Sequence, residues 1–290
     1  MKTTAIFQAR MSSSRLPGKV LLAIDGKPML QHVIERTLRA RSLDTVLLAT
    51  TTDPSDDPLA DFAASMEIDC FRGSLHDVLD RYYRAAQTAR ADLIVRITAD
   101  CPLIDPAVID QTVELLKNPS AFNSPKVDFS CNRLPPPFSR TFPIGLDVEA
   151  CTFSALERAW NQATETFHRE HVMPFLYEGL KFEPKTETEP DPRPIASTAF
   201  FGTSPRGFGI AQLQHQPDYG KLRWTVDTPE DLTFIREIFA RLGDKKDFSW
   251  YDVLEIVQKE PELAKINAEI RHKTMTEVDN RSKIADQNPR

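Results

Sequence analysis

Thr4-Ala5-Ile6-Phe7-Gln8-Ala9 runs directly into Arg10-Met11-Ser12-Ser13-Ser14-Arg15-Leu16-Pro17-Gly18-Lys19. The first half is a short apolar run. The second is polar, serine-rich and broken by a Pro-Gly pair. That junction reads as a buried strand delivering a loop to one edge of a sheet. Working outward, residues 45–50, 68–71 and 92–98 repeat the short apolar run. Between them, 27–41, 58–66 and 74–89 read as helices. Leu30, Val33, Ile34 and Leu38 share one face of the first. Ser74 is placed to cap the third, with Asp77 three residues on, as in a capping box. The alternation predicts an α/β fold: a mostly parallel, mixed central sheet with helices on both faces. Ligands of such sheets sit beyond the carboxyl ends of the strands. The loops after Ala9, Thr50, Phe71 and Thr98 are therefore expected to meet at one rim.

Past a helix at 106–117 the pattern loosens. Residues 129–140 are proline-rich and read as a loop, 145–150 as a strand, and 152–165 and 169–178 as helices. Residues 182–217 read as irregular and proline-punctuated. A strand at 222–226 precedes Thr228-Pro229-Glu230-Asp231, a helix start with a threonine cap, a proline at the first position and an acid three residues past the cap. Residues 249–257 form another expected helix. The stretch 259–290 reads as a peripheral helix running into a charged tail. The 290 residues are 41% hydrophobic and 27% charged, too apolar for a disordered chain. A net charge of -6 argues against general nucleic-acid binding. No apolar run is long enough for a membrane-spanning helix, and no secretory signal is visible at the start. Cys70, Cys101, Cys131 and Cys151 form no CxxC pair and no zinc spacing, and read as buried thiols of a reducing cytoplasm. Trp160, Trp224 and Trp250 read as core.

Three cations, Arg10, Arg15 and Lys19, fall within the loop after the first strand, where they suit a triphosphate. The loop is not a Walker A: Ser13 stands where its first glycine belongs, and Val20 where a magnesium-binding hydroxyl belongs. Asp100 ends the strand at 92–98, a position that suits Mg2+, which takes one or two protein carboxylates plus phosphate oxygens. Asp105, before Pro106, reads instead as a helix cap. Asp227 follows the strand at 222–226. With Thr228 as cap and Glu230 and Asp231 favouring the helix dipole, Asp227 is left without a structural task. If both strands end at one rim, Asp100 and Asp227 can share a cation. For an acceptor, the candidates in the less regular middle are Arg140, Asp147 and Glu149, with Arg169, Glu170 and His171 nearby. Arg140 or Arg169 suits a sugar-acid carboxylate. His171 also fits a structural histidine on a helix face.

Ala9-Arg10-x-x-Ser13-x-Arg15-Leu16-Pro17-Gly18-Lys19 resembles the N-terminal signature of the CMP-sugar synthetases, the acylneuraminate cytidylyltransferase family, notably CMP-3-deoxy-manno-octulosonate synthetase. The Asp100 turn resembles that enzyme's first metal aspartate. Val226-Asp227-Thr228-Pro229-Glu230-Asp231-Leu232 resembles its C-terminal aspartate motif. Three further stretches are similar to the spore-coat-polysaccharide type of cytidylyltransferase. They are Phe71-Arg72-Gly73-Ser74 with Asp77-Val78-Leu79-Asp80-Arg81-Tyr82, Arg96-Ile97-Thr98-Ala99-Asp100-Cys101-Pro102-Leu103-Ile104-Asp105, and Gly145-Leu146-Asp147-Val148-Glu149. The octulosonate enzymes carry Gln-Gly-Asp where this chain has Thr98-Ala99-Asp100.

The resemblance, over residues 3–240, implies a nucleotide-diphospho-sugar transferase fold related to GT-A. It implies CTP on the N-terminal half and Mg2+ between Asp100 and Asp227. Gln8, Ala9, Arg10, Ser13, Arg15, Lys19 and Thr98 would hold the nucleotide, with Arg72, Gly73, Ser74 and Asp77 near its cytosine and ribose. The implied layout is a nucleotidyltransferase domain at 1–258, with a CTP half at 1–120, an acceptor and dimerisation region at 121–217, and the metal motif and closing helices at 218–258. The implied protein is a cytoplasmic homodimer that makes a CMP-activated sugar acid for cell-surface polysaccharide. Three other readings stay open. A sugar-1-phosphate nucleotidyltransferase would carry a glycine-rich first loop. A GT-A glycosyltransferase would carry an Asp-x-Asp motif where Asp100-Cys101-Pro102 stands. A non-catalytic nucleotide-binding subunit is the third.

Overall fold

A computed structural model describes residues 1–122, 126–182 and 197–270. Its strands are β1 (Thr3–Gln8), a small ribbon of β2 (Ala23–Ile24) and β3 (Lys27–Pro28), β4 (Thr45–Thr51), β5 (Asp69–Gly73), β6 (Leu93–Thr98), β7 (Phe129–Cys131), β8 (Glu149–Thr152), β9 (Lys181–Phe182), β10 (Ser197–Thr203) and β11 (Gly209–His215). The helices are α1 (Met29–Thr37), α2 (Asp57–Ser65), α3 (Val78–Ala89), α4 (Pro106–Lys117), α5 (Phe153–Gln162), α6 (Thr166–His171), α7 (Pro174–Tyr177), α8 (Pro229–Leu242), α9 (Trp250–Lys259) and α10 (Glu262–Lys265). Nine strands form one sheet in the order β5-β4-β1-β6-β8-β7-β11-β10-β9. Strands β5, β4, β1 and β6 run parallel, as do β7 and β11. The remaining pairings are antiparallel.

β1 lies within the parallel half, between β4 and β6, and Thr3 through Phe7 are fully inaccessible. The pleat sends Ala5 and Phe7 to one face and Ile6 to the other. Ala5 and Phe7 pack with Leu30, Val113, Ile235 and Trp250 from α1, α4, α8 and α9. Ile6 packs with Leu79, Tyr82, Leu156 and Leu176 from α3, α5 and α7. Burying each such large side chain contributes roughly 1.5–3 kcal/mol. Cover on both faces explains why these strands read as unbroken apolar runs.

The chain passes from β1 outward through β4 to β5, then crosses by α3 to β6 on the other side of β1. That reversal opens a crevice at the carboxyl ends of β1 and β6, where open α/β sheets bind ligands. Register sets the rim: Gln8 lies opposite both Ala49 and Thr98, and Thr51 opposite Gly73.

Several elements depart from expectation. α3 starts at Val78, capped by the Asp77 carboxylate on the Asp80 N–H, while Ser74 Oγ accepts only the Asp77 N–H one turn earlier. The strand expected at 145–150 lies at Glu149–Thr152. The loop expected over 129–140 begins with β7, held between β8 and β11. The stretch expected to be irregular, 182–217, contains an antiparallel pair of seven-residue strands, and 183–196 lie outside the described residues. The helix expected over 169–178 breaks at Val172, whose φ of 71° closes a γ-turn, with Met173 N–H donating to His171 C=O at 2.9 Å.

Residues 222–226 make a single parallel bridge, Ile144 to Arg223, in place of a strand, because their backbone groups serve separate loops. Trp224 N–H donates to Ile144 C=O at 2.6 Å, and Val226 N–H to Asp100 C=O at 2.9 Å. Leu263 and Asn267 are buried, so the C-terminal stretch is anchored as far as it is described, and the rest of the expected tail, 271–290, lies outside the described residues. Cys70 is exposed, while Cys101, Cys131 and Cys151 are buried as expected. Trp224 and Trp250 are core. Trp160 is only half-buried, stacked on Tyr83.

Asp105 is the structural cap its position suggests. Its Oδ1 accepts from Ala107 and Val108 N–H at the start of α4, and its Oδ2 from Trp250 N–H at the start of α9. The box at Thr228 and Asp231 forms as expected.

Candidate active site

The crevice at the ends of β1 and β6 is a cleft of about 360 Å³. Gln8, Ala9, Arg10, Ser13, Arg15 and Lys19 line one side, with Thr98 and Asp100 from the end of β6. The loop after β1 curls back on itself: Ser13 and Gly18 N–H both donate to Met11 C=O at 2.9 Å. Met11 N–H in turn donates to the buried Asp56 carboxylate at 2.7 Å, which also takes the Thr51 hydroxyl at the end of β4. Gly18, at φ 67°, turns the chain in a left-handed conformation that suits glycine. Lys19 follows it and points inward.

Asp227 reaches the cleft by way of the strap at 222–226. The Asp100 carbonyl accepts from both Val226 N–H and Thr225 Oγ1 (3.1 Å), which pins the strap to the end of β6. A Cβ at Gly145 would lie 2.6 Å from the Trp224 carbonyl carbon, so the strap's path requires glycine there. The two aspartates are thereby brought to one point, as their expected pairing requires.

What lies between them is a side chain of the chain itself. Lys19 Nζ donates to Asp100 Oδ2 at 2.8 Å, Asp227 Oδ1 at 3.0 Å and Val226 C=O at 2.7 Å. Arg15 adds a contact to Asp227 Oδ1 at 2.9 Å, and Arg223 one to Asp227 Oδ2 at 2.9 Å. Asp227 is thus heavily engaged, contrary to the expectation that it lacks a structural task. Burial alone would raise its pKa, but Lys19, Arg15 and Arg223 hold it well below the usual carboxylate range. Burial pulls the Lys19 ammonium down, and the two carboxylates more than offset this, leaving its pKa raised. Behind Asp227, Arg223 is held by Asp231 at 2.8 Å, and Asn267 donates to Asp231 Oδ1 at 2.9 Å.

The lining also includes Asp147, Glu149, Glu170, His171, Tyr177 and Arg133. Glu149 faces Arg96 across the β6–β8 pairing, 2.6 Å apart, and Arg96 also reaches Gln8 Oε1 at 3.2 Å. Arg140 is not part of the lining. It grips Asp147 through both guanidinium nitrogens from behind.

Arg72, Gly73, Ser74 and Asp77, expected near a base and ribose, also lie outside the lining. Arg72 ties the end of β4 together, donating to Thr51 and Asp53 carbonyls and pairing with Asp57 at 2.7 Å. Asp77 caps α3 and pairs with Arg169 of α6. Gly73 packs where a Cβ would meet the Phe71 ring at 2.8 Å.

Arg96, Arg133, Tyr177 and Thr225 line the cleft without being singled out by the sequence. A lone cation inside an apolar strand is a usable signal for Arg96. Nothing in the proline-rich stretch marks Arg133.

Cations on one wall can neutralise a polyphosphate, and two convergent carboxylates offer hard oxygen ligands. Among the described residues, no group of three or more His, Cys, Asp or Glu is placed to hold a metal. This donor set fits Mg2+, which keeps water and phosphate oxygens in most of its shell.

Among known proteins, a family model described as cytidylyltransferase matches residues 4–205. An uncharacterised protein of Methanocaldococcus jannaschii is 33% identical over 283 residues, 96% of this chain and 100% of that one. The spore coat polysaccharide biosynthesis protein SpsF of Bacillus subtilis is 25% identical over 264 residues, 89% of this chain and 95% of that one. The 3-deoxy-manno-octulosonate cytidylyltransferase of Pelobacter propionicus is 42% identical over 121 residues, 41% of this chain and 47% of that enzyme. A solved structure of a cytidylyltransferase from Leptospira borgpetersenii superimposes with a TM-score of 0.75 at 32% identity, covering 94% of this chain and 100% of that one. None of the helices described is long and apolar enough to cross a membrane.

Proposed function

The chain belongs to the cytidylyltransferase family, and from that premise we propose that it transfers the CMP group of CTP to a hydroxyl of an acidic sugar, releasing pyrophosphate, in the making of cell-surface polysaccharide. The observation that carries this reading is the convergence of Asp100 and Asp227 beside Arg10, Arg15 and Lys19 at the carboxyl ends of β1 and β6. The likeness to the spore coat protein and to the octulosonate enzymes supports a sugar-acid acceptor.

The acceptor oxygen forms a bond to the α-phosphorus of CTP. The bond from that phosphorus to the α–β bridging oxygen breaks, and pyrophosphate leaves with its electron pair. The hydroxyl proton passes to solvent. Arg10, Arg15 and Lys19 bind the triphosphate and stabilise the leaving pyrophosphate, where charge builds most. Asp100 and Asp227 would hold Mg2+, whose charge would offset that of the phosphates. Asp147, Glu149 and Arg133 orient the acceptor from the other wall. We place the enzyme in the cytoplasm as a homodimer.

Pyrophosphate release with each of CTP, ATP, GTP and UTP, against a panel of acidic sugars, tests the reading. CTP with one sugar acid is expected to react alone. CTP with Mg2+ at 100 times its dissociation constant is expected to add about 2.7 kcal/mol of stability. Equal thermal shifts from all four nucleotides, with no pyrophosphate released from any sugar, would overturn it.

A further inference from the structure

The ammonium of Lys19 occupies the point where the two metal-binding carboxylates converge. Its three donors are all engaged, on Asp100, Asp227 and the Val226 carbonyl, at 2.7–3.0 Å, and the residue is 8% exposed. An ammonium so placed is a complete counter-ion for the pair. A magnesium ion needs the same oxygens at about 2.0–2.1 Å. An ion bridging Asp100 Oδ2 and Asp227 Oδ1 would fall within the space the ammonium fills, so the two cations compete for that point. Asp227 is further saturated, with Arg15 on one oxygen and Arg223 on the other.

We propose that Lys19 is a gate on the metal site: it keeps divalent cations off Asp100 and Asp227 until a triphosphate draws the ammonium away. The inference rests on the reading that these aspartates hold Mg2+. Three features make the exchange workable. The Lys19 backbone is fixed at the end of the curled loop, its N–H donating to Leu16 C=O at 3.2 Å, so only the side chain has to move. Arg10 and Arg15 line the same wall and offer the incoming phosphates a first hold. The triphosphate supplies the anionic oxygens that both Lys19 and the metal then need, so leaving the carboxylates does not strand the ammonium in a buried site. The consequence is an order of events: nucleotide and metal arrive together, and metal alone does not load.

Mn2+ alone, followed by electron paramagnetic resonance, is the probe. It is applied to the wild-type protein and to Lys19→Met and Lys19→Ala, without nucleotide. Either variant is expected to bind one Mn2+ at least about tenfold more tightly than wild type, as follows from removing a charge-assisted competitor. Adding Asp100→Asn to Lys19→Met is expected to abolish that gain. Should the bare carboxylates weaken folding, the melting temperature reads the same event. In chelator the variants melt below wild type, and Mg2+ alone restores them while leaving wild type unmoved. Equal Mn2+ affinity in wild type and variants, or no binding to either variant, overturns the gate. The metal reading is separately decided by Mn2+ in the presence of CTP: if neither Asp100→Asn nor Asp227→Asn weakens that ternary binding, the aspartates do not hold the metal.

Discussion

The two walls of the cleft are built by different means. On the wall proposed for the nucleotide, Gln8, Ala9, Thr98 and Asp100 sit at the ends of paired strands, and main-chain register sets their places. On the wall proposed for the acceptor, Glu149 shares the β6–β8 ladder, but Asp147 is held by its ion pair with Arg140, and α6, which ends in Glu170 and His171, is tied to α3 by Arg169 and Asp77. A wall set by a backbone ladder resists single substitutions, because no one side chain defines it. A wall set by ion pairs can be retuned one residue at a time, which suits a family whose members would share a nucleotide and differ in acceptor.

The sharpest test is at the seam. Asp100→Asn and Asp227→Asn are each expected to cut kcat by at least about 100-fold, the scale of losing a preorganised charge stabiliser. The double variant is expected to be little worse than either single one, because both act on one cation. Multiplying losses in steady-state kinetics would separate the two carboxylates.

Next in size is Arg140→Ala, which removes the guanidinium clamp on Asp147 while Arg140 itself is not part of the cleft lining. KM for the acceptor is expected to rise about tenfold, as for one charge-assisted contact, with the CTP KM unchanged. A matching rise in the CTP KM would break the contrast between the walls.

A third effect lies in stability against pH. The Asp227 pKa is depressed in the folded chain, so its contribution is complete above the ordinary carboxylate value of about 3.9 and is lost as pH falls below it. Denaturant midpoints measured down the acid limb are expected to fall less steeply in Asp227→Asn than in wild type.

The smallest expected effect is that of Arg72→Ala. Its contacts tie the end of β4 and do not reach the cleft, so a loss of about 1–2 kcal/mol with unchanged CTP affinity is expected from chemical denaturation and calorimetry. Weakened CTP binding would return Arg72 to the nucleotide.

The same contrast explains what could be read from residues alone. β1, β4 and β6 are covered on both faces, so each is a short apolar run, broken in β6 only by Arg96, that cannot be mistaken for a surface helix. Their short loops make the rim, and with it the places of Arg10, Lys19 and Asp100, legible. β10 and β11 escape notice because prolines flank them. In β11 polar Gln212 is wholly buried, its amide satisfied by the Ser139 carbonyl, a partner 73 residues away. From the residues themselves the meeting of Asp100 and Asp227 is arguable only through rim geometry, and otherwise through the family resemblance, since the clip that enforces it is a backbone hydrogen bond with no side-chain signature. Lys19 is legible as a cation of the site. Its place between the carboxylates is not, because a lysine that can serve phosphates or carboxylates has the same letter in both roles.

The clip between Val226 N–H and the Asp100 carbonyl has a consequence for how the protein is made. A ribosome delivers Arg10, Lys19 and Asp100 early, and Asp227 only 127 residues after Asp100. At about 5–20 residues per second, the gap lasts roughly 6–25 s. During that interval a nascent chain can present the cationic loop to the cell's nucleotides with only one of the two carboxylates. On the proposed reading, turnover has to wait for the strap. The carboxylate pair is a late product of synthesis, and a truncated chain ending before residue 222 is expected to show no turnover of CTP.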